Sequence, residues 1–286
     1  MSRDTHPTPN VTKRADLHIH THYSDSTSSP EEVIAQAREA GLSCIAITDH
    51  DTIDGIRPVR DAARGTDIEV IAGVELSTES GGKDVHILGY LFDDQNPALT
   101  KKLSAFQNAR LERARQILEK LKSHGIDNIS IEEVCSRSQS QAVGRPHIAA
   151  LMVEKGWVKD IRKAFDKYLA EGQPGYVPKW KQTPSEALQL IREAGGVSVM
   201  AHPMITNKDA LIPKLAEEGL DGLEVYYPNC PDNIRHYYEG IAGKLGLIMT
   251  GGSDAHGKAK NSTWLAKVTV PYTVVENLKT AAAKKG

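Results

Sequence analysis

Six of the chain's eleven histidines sit at or just past the ends of short apolar runs, among aspartates and glutamates. The clusters are Asp16-Leu17-His18-Ile19-His20 with Ser24-Asp25, Thr48-Asp49-His50-Asp51, Val74-Glu75, His86, Ala201-His202-Pro203 and Gly252-Ser253-Asp254-Ala255-His256. A lone His-x-His proves little, and Glu75 by itself reads equally well as a helix cap or a surface charge. The combination is hard to explain as core packing, because charged residues are rarely buried unless paired or bound to metal. Residues two apart in a strand face the same way, so His18 and His20 can grip one ion from a strand's C-terminal end, where barrel enzymes place their sites. The six clusters therefore read as one metal site at converging strand ends. Imidazole and carboxylate together suit divalent zinc, iron or manganese. So many groups imply more than one ion, which points to hydrolysis by a metal-activated water.

A chain of 286 residues holds one large domain, or one domain with an insertion. The formal net charge of −2 gives the whole surface no general attraction for nucleic acid or membrane. No apolar run is long enough to span a bilayer and no signal peptide is expected. Met1 to Arg14 is polar and contains proline, and reads as a flexible tail over 1–14. Cys44, Cys135 and Cys230 are single and far apart, which argues against a disulfide framework and for a reducing cytoplasm. No stable protein partner is evident.

The coarse pattern is α/β. Ala15 to Thr21 reads as a strand, and Ser29-Pro30-Glu31-Glu32 as a helix start with Ser29 at the N-cap; that helix stops at Gly41. Ser43 to Thr48 is a near-continuous apolar run, as in a parallel strand buried on both faces. Ile68 to Leu76 and Val85 to Phe92 repeat it. Later come strands Val197 to Ala201, Gly222 to Tyr226, Leu247 to Thr250 and an expected last one over Leu265 to Val270, with helices between. Seven or so strands make a closed or distorted barrel the natural layout. Between the two halves, Leu99, Leu103, Phe106, Ala114, Ile117 and Leu121 mark a long amphipathic helix, and shorter helices follow. We read 97–175 as a helical insertion, with barrel over 15–96 and 176–286. The basic residues of the first insertion helix are either a solvated face or a lid that meets an anionic substrate. Trp157, Trp180 and Trp264 read as packing residues, with a place facing the cleft as the alternative for Trp180 between Lys179 and Lys181.

These motifs resemble the PHP (polymerase and histidinol phosphatase) superfamily of metal-dependent phosphoesterases. The matching elements are His18-x-His20 with Asp25, Thr48-Asp49-His50, Glu75, His86, His202-Pro203 and Ser253-Asp254-x-His256, in order along nearly the whole chain. The resemblance implies a distorted (β/α)7 barrel with an inserted small helical domain and a centre of two to three divalent ions, manganese, iron or zinc. It implies one ion on His18, His20, Glu75 and Asp254, a second sharing Glu75 with His86 and His202, and a third on Asp25, His50 and His256. A bridging hydroxide held by Glu75, His86 and Asp254 would attack phosphorus in line, with no covalent enzyme intermediate. Asp49 and Asp51 are expected behind the ligands, orienting histidines. Glu224 either does the same or is structural.

Within the superfamily the chain is similar to stand-alone phosphoesterases acting on 3′,5′-bisphosphonucleotides, AMP-like monophosphates or short 5′-phosphorylated RNA. Gly144-Arg145-Pro146-His147 carries that link. Arg145 and His147 are expected to bind substrate, His147 as the imidazolium. The bland alternative is that Arg145 caps a neighbouring helix and His147 starts its own. A phosphatase of a non-nucleotide metabolite such as histidinol phosphate is the second reading, and an inactive binding module the third. Ser26 and His22 depart from the family's pattern without removing a ligand.

Overall fold

The computed structural model describes residues 13–137, 143–178, 182–259 and 264–285. Trp180 lies outside them. Eight strands make one sheet: β1 (Arg14–Ile19), β2 (Cys44–Ile47), β3 (Glu69–Ser80), β4 (Lys83–Tyr90), β5 (Val197–Met200), β6 (Gly222–Tyr226), β7 (Ile248–Gly251) and β8 (Val270–Pro271). Their order is β7-β6-β5-β4-β3-β2-β1-β8. The set β1-β2-β3 is parallel, as is β5-β6-β7. The sheet curls into a barrel that closes at one end, where Ala255 bridges Ile19 and the His20 amide donates to the Ala255 carbonyl at 3.0 Å. Helices α1 (Pro30–Glu39) and α2 (Ile56–Ala62) cover the outside beside β1 to β3, and Ser29 opens α1 with a capping box.

Three expectations change. Val85 to Phe92 does not repeat the parallel pattern: β4 runs antiparallel to both neighbours. Gly81 and Gly82, at φ 57° and 78°, join β3 to β4 in a two-residue hairpin whose twist needs left-handed backbone. His86 therefore reaches the rim from the N-terminal half of a reversed strand. The expected strand over Leu265 to Val270 shrinks to β8, and Arg14, expected in the tail, pairs with Pro271 instead. Finally, α11 (Tyr272–Ala282), which the sequence pattern did not reveal, plugs the barrel opposite the histidines. Its Val275 and Leu278 join Leu17, Ala46, Leu88, Tyr90 and Val199 in the barrel interior. Each fully buried valine or leucine of this set contributes about 1.5–3 kcal/mol.

Helix α3 (Pro97–Lys122) belongs to two cores. Asn96 caps its start by accepting from Ala98 and Leu99. Leu99, Leu103 and Phe106 pack with Leu188 and Ile191 of α7 (Pro184–Glu193) on the barrel's outer layer. Ala114, Ile117 and Leu121 pack in a separate cluster with Val134 of α4 (Ile131–Arg137), Ile148 and Met152 of α5 (Arg145–Glu154), and Leu169. That second cluster also takes in Ala164 of the short α6 (Ile161–Ala164). The change of core falls inside α3, beyond Phe106, and not at Pro97.

Candidate metal centre

Glu75 is the hub. It lies on β3, and its carboxylate is 1% exposed. Oε2 stands 3.2 Å from His18 Nε2, 3.2 Å from His20 Nε2 and 3.2 Å from His50 Nδ1. Oε1 stands 2.6 Å from His86 Nδ1 and 3.0 Å from His202 Nε2. One carboxylate thus meets five imidazoles supplied by strands or strand ends from β1 to β5. The chain past β7 adds the rest. Asp254 Oδ1 is 3.1 Å from His20 Nε2 and 3.6 Å from His18 Nε2, while His256 Nε2 is 3.1 Å from Asp25 Oδ1. All nine expected ligands are brought together. Their ligand atoms form three overlapping groups, each within 4.8 Å: His18, His20, Glu75 and Asp254; His20, Asp25, His50 and His256; and His50, Glu75 and His86. His20 and His50 each serve two groups, and His202 meets the centre through Glu75.

The donor set fits divalent cations. His20 Nδ1 and Nε2, His50 Nδ1 and Asp25 Oδ1 are buried without an aligned hydrogen-bond partner, although oppositely charged atoms stand nearby. These atoms converge on shared space more than on one another. Burial acts against charge on Glu75, yet His50, His86 and His18 outweigh it and hold the carboxyl well below its ordinary range. Asp25 and Asp254 are held low in the same way. Burial also opposes charge on His18, but Glu224, Glu75 and Asp254 hold it well above its ordinary value, and His20 is held at about 9. Burial takes His50 down to about 3. Three anionic carboxylates among imidazoles that cannot all be protonated leave room for added positive charge. Backbone strain accompanies this arrangement. His202 and Asp254 hold φ of 28° and 48°, and Asp51 holds 53°.

The supporting groups differ from the sequence expectation. Asp49 accepts from the Thr21 amide and hydroxyl at 2.7 and 2.6 Å and from the Ser24 hydroxyl at 2.6 Å. It folds the turn that delivers Asp25 and does not sit behind a ring. Asp51 accepts from the Ser77 amide at 2.7 Å and pairs with Arg110 of α3. It ties the helical unit to the loop that carries His50. The partners of both aspartates are thus Thr21, Ser24, Ser77 and Arg110, and not the His50 ring. The carboxylate behind a ligand is Glu224 of β6, with Oε1 2.9 Å from His18 Nδ1 and Oε2 accepting from the His202 amide at 2.8 Å. Asp16 accepts from the Ser253 and Ala266 amides, both at 2.9 Å, and its burial raises its pKa to about 6. Sequence reasoning missed Tyr227. Its hydroxyl donates to Asp254 Oδ2 at 2.8 Å and its ring meets His202 edge-on at 5.6 Å. The one available signal was its position just past the end of a strand.

Arg145 and His147 stand at the start of α5. Arg145 Nη1 donates to the Leu169 carbonyl at 3.1 Å, at the end of a π-helical turn, Phe165–Leu169. This is the capping contact of the bland reading. His147 Nδ1 accepts from the Gly144 amide at 3.0 Å, and burial lowers its pKa against the pull of Asp25. Burial thus favours the neutral ring over the imidazolium expected from sequence, and a neutral ring that accepts at Nδ1 carries its proton on Nε2. The Asp25 charge reaching it places His147 near the centre. Among the described residues no helix is long and apolar enough to cross a membrane.

Comparison with known proteins agrees with this architecture. The model of the PHP domain family matches residues 16–192. A 3′,5′-nucleoside bisphosphate phosphatase of Chromobacterium violaceum is 35% identical over 246 residues, covering 84% of this chain and 86% of the relative. A 5′-3′ exoribonuclease of Haemophilus influenzae is 34% identical over 252 residues, covering 86% and 91%. A solved structure from Bifidobacterium adolescentis superposes with a TM-score of 0.83 at 29% identity, covering 93% of this chain and 96% of the other.

Proposed function

The chain belongs to the PHP domain family and is a phosphoester hydrolase, and on that premise we propose that it releases phosphate from nucleotides. The proposed substrates are 3′,5′-bisphosphonucleotides, AMP-like monophosphates or short 5′-phosphorylated oligonucleotides, met in the cytoplasm. The observation that carries the reading is the pairing of the Glu75-centred donor set with a helical unit that presents arginines and a neutral histidine beside it. Relatives of matching length that act on such substrates support it.

Two to three divalent ions, manganese, iron or zinc, would be held by the three residue sets that the resemblance implies, with Glu75 shared. When bound, they would lower the pKa of water and neutralise phosphoryl oxygens. The protein's own residues do the rest. Glu224 engages His18 Nδ1 and leaves Nε2 facing the centre. Asp49 fixes the turn that brings Asp25 to His50 and His256. Tyr227 anchors one oxygen of Asp254 so that the other faces His18 and His20. His147 offers an Nε2 proton and Arg145 a guanidinium to the bound phosphate ester.

A substrate panel tests this. The manganese-supplemented protein is expected to release phosphate from adenosine 3′,5′-bisphosphate with a higher kcat/KM than from histidinol phosphate. If histidinol phosphate outran every nucleotide, the nucleotide reading would fall.

A further inference from the structure

Helix α3 grips the loop that follows β2 at two points. Gln107 Nε2 donates to Thr52 Oγ1 at 3.2 Å and to Asp54 Oδ2 at 3.3 Å. One turn further on, Arg110 pairs with Asp51 and donates to Ser77 Oγ at 3.1 Å. Both residues lie between Phe106, the last residue of α3 in the barrel core, and Ala114, its first fully buried residue in the helical cluster. The grip therefore sits where the two packed units join. Asp51 links it to the metal centre. The Asp51 amide donates to the Glu75 carbonyl at 3.0 Å and the Glu75 amide to the Asp49 carbonyl at 3.1 Å, so the β2–β3 ladder runs on through His50. At Asp51 the chain leaves the sheet with φ 53°. There the carboxylate accepts from the Ser77 amide at 2.7 Å and carries the pairing one step further. Ser77 stands opposite His86 in the β3–β4 register. Arg110 thus braces the loop behind His50 and the residue facing His86, and those two histidines form one ligand group with Glu75. The group of His18, His20, Glu75 and Asp254 hangs instead from β1, β3 and the chain past β7.

We propose that Arg110 is a positioning residue through which the seated helical unit sets the metal affinity on the His50 and His86 side of the centre. The proposal rests on the divalent-ion reading above and goes beyond it by joining the ions to the insertion. The physical argument is preorganisation. Asp51 is buried, and a buried carboxylate stripped of its counter-ion is strongly unfavourable. Without the guanidinium, Asp51 turns outward and releases the Ser77 amide. The backbone at Asp51 then relaxes, because such a φ persists only where its surroundings hold it. His50, one residue earlier, loses its fixed place, and an ion has to order it on binding. Groups that stand behind metal ligands ordinarily account for about 10- to 100-fold in affinity. Linkage makes the coupling mutual: the seated helix raises metal affinity, and bound metal strengthens the seating by the same factor.

Calorimetric titration of the demetallated protein with manganese, alongside elemental analysis, reads the coupling independently of turnover. Wild type is expected to take up more than one ion. In Arg110→Met, which keeps the aliphatic stem, one tight ion should remain, and the affinity of the others should fall by about 10- to 100-fold. Arg110→Lys should restore part of the loss, since it keeps the charge without the fork. Hydrogen exchange supplies the reciprocal half. Manganese at about 10-fold above its Kd should slow the amides of Gln107 to Arg113 by about 10-fold in wild type, and leave them unchanged in Arg110→Met. If melting shows Arg110→Met to be unfolded, Arg110→Lys and Gln107→Ala carry the same comparison. Matching isotherms for wild type and every variant overturn the coupling and leave the divalent-ion reading standing. So does an equal loss at every ion, the mark of an arginine that only holds the fold together. Unslowed exchange in wild type that has taken up manganese also overturns the coupling alone. Absence of manganese uptake by wild type overturns both.

Discussion

The barrel mouth and the helical unit are unfinished in opposite senses. At the mouth, Glu75, Asp25 and Asp254 stay ionised among imidazoles, and several buried ligand atoms lack aligned partners. In the helical unit, Arg113 is held by the Val177 carbonyl and Arg145 by the Leu169 carbonyl and the Phe165 ring, with no carboxylate of the described residues in ion-pair distance of either. A folded chain ordinarily buries charge in pairs. Where it preserves an imbalance on a rigid frame, as at the mouth, added positive charge from outside would complete the set. The two regions also differ in how they are built. Strand ends place the first, whereas a helix face and a loop place the second.

The largest test of the contrast removes the cation side. Chelation should abolish phosphate release and lower Tm by about 5–10 °C, as expected when ligands held about 100-fold above their Kd are withdrawn from a protein of this size. Glu75→Gln should cut kcat/KM by about 10²–10³-fold or more, with elemental analysis showing lost metal. Retained metal and turnover in Glu75→Gln would remove the hub. A smaller effect sharpens the picture. Glu224→Gln leaves every ligand in place but loosens His18, and metal affinity should fall by about 10- to 100-fold. An unchanged affinity would make Glu224 a packing residue. The smallest effect sits on the helical side. Because burial lowers the His147 pKa, the neutral ring's contribution is complete above its ordinary value of 6.5 and is lost as pH falls through the folded value. Protonation of Nδ1 would break its bond from the Gly144 amide. Exchange of that amide should quicken in acid, and His147→Gln should remove the pH dependence.

Much of the mouth was legible because strand ends leave a local signature. A short apolar run followed by His or Asp fixes both the element and the direction of the side chain, so His18, His20, His202 and Asp254 could be named without coordinates. What surrounds them could not. Asp49 and Asp51 were chosen for standing next to His50, yet their hydrogen bonds go to the Thr21 turn, to Ser77 and to Arg110. The partner that engages His18, Glu224, is 206 residues away, and no spacing rule reaches that far. The reversal of β4 was written in Gly81-Gly82 but outweighed by the apolar run after it. Helix α11 went unseen, though it closes the barrel's far end. In the helical unit, Gly144-Arg145-Pro146-His147 was visible as a motif. Arg113 was one basic residue among several on α3, and its bond to the Val177 carbonyl, 64 positions on, left no mark in the sequence.

The barrel's closing seam bears on how the chain is made. The C-terminal end of β1 is bridged at Ile19 by Ala255, and Asp16 accepts from the Ser253 amide across 237 positions. A nascent polypeptide exposes His18, His20, His50, Glu75, His86 and His202 long before Asp254 and His256 leave the ribosome. Until then the early ligands have no complete pocket. Their assembly is thereby tied to synthesis of the distal segment, so that capture of metal would report a barrel already shut.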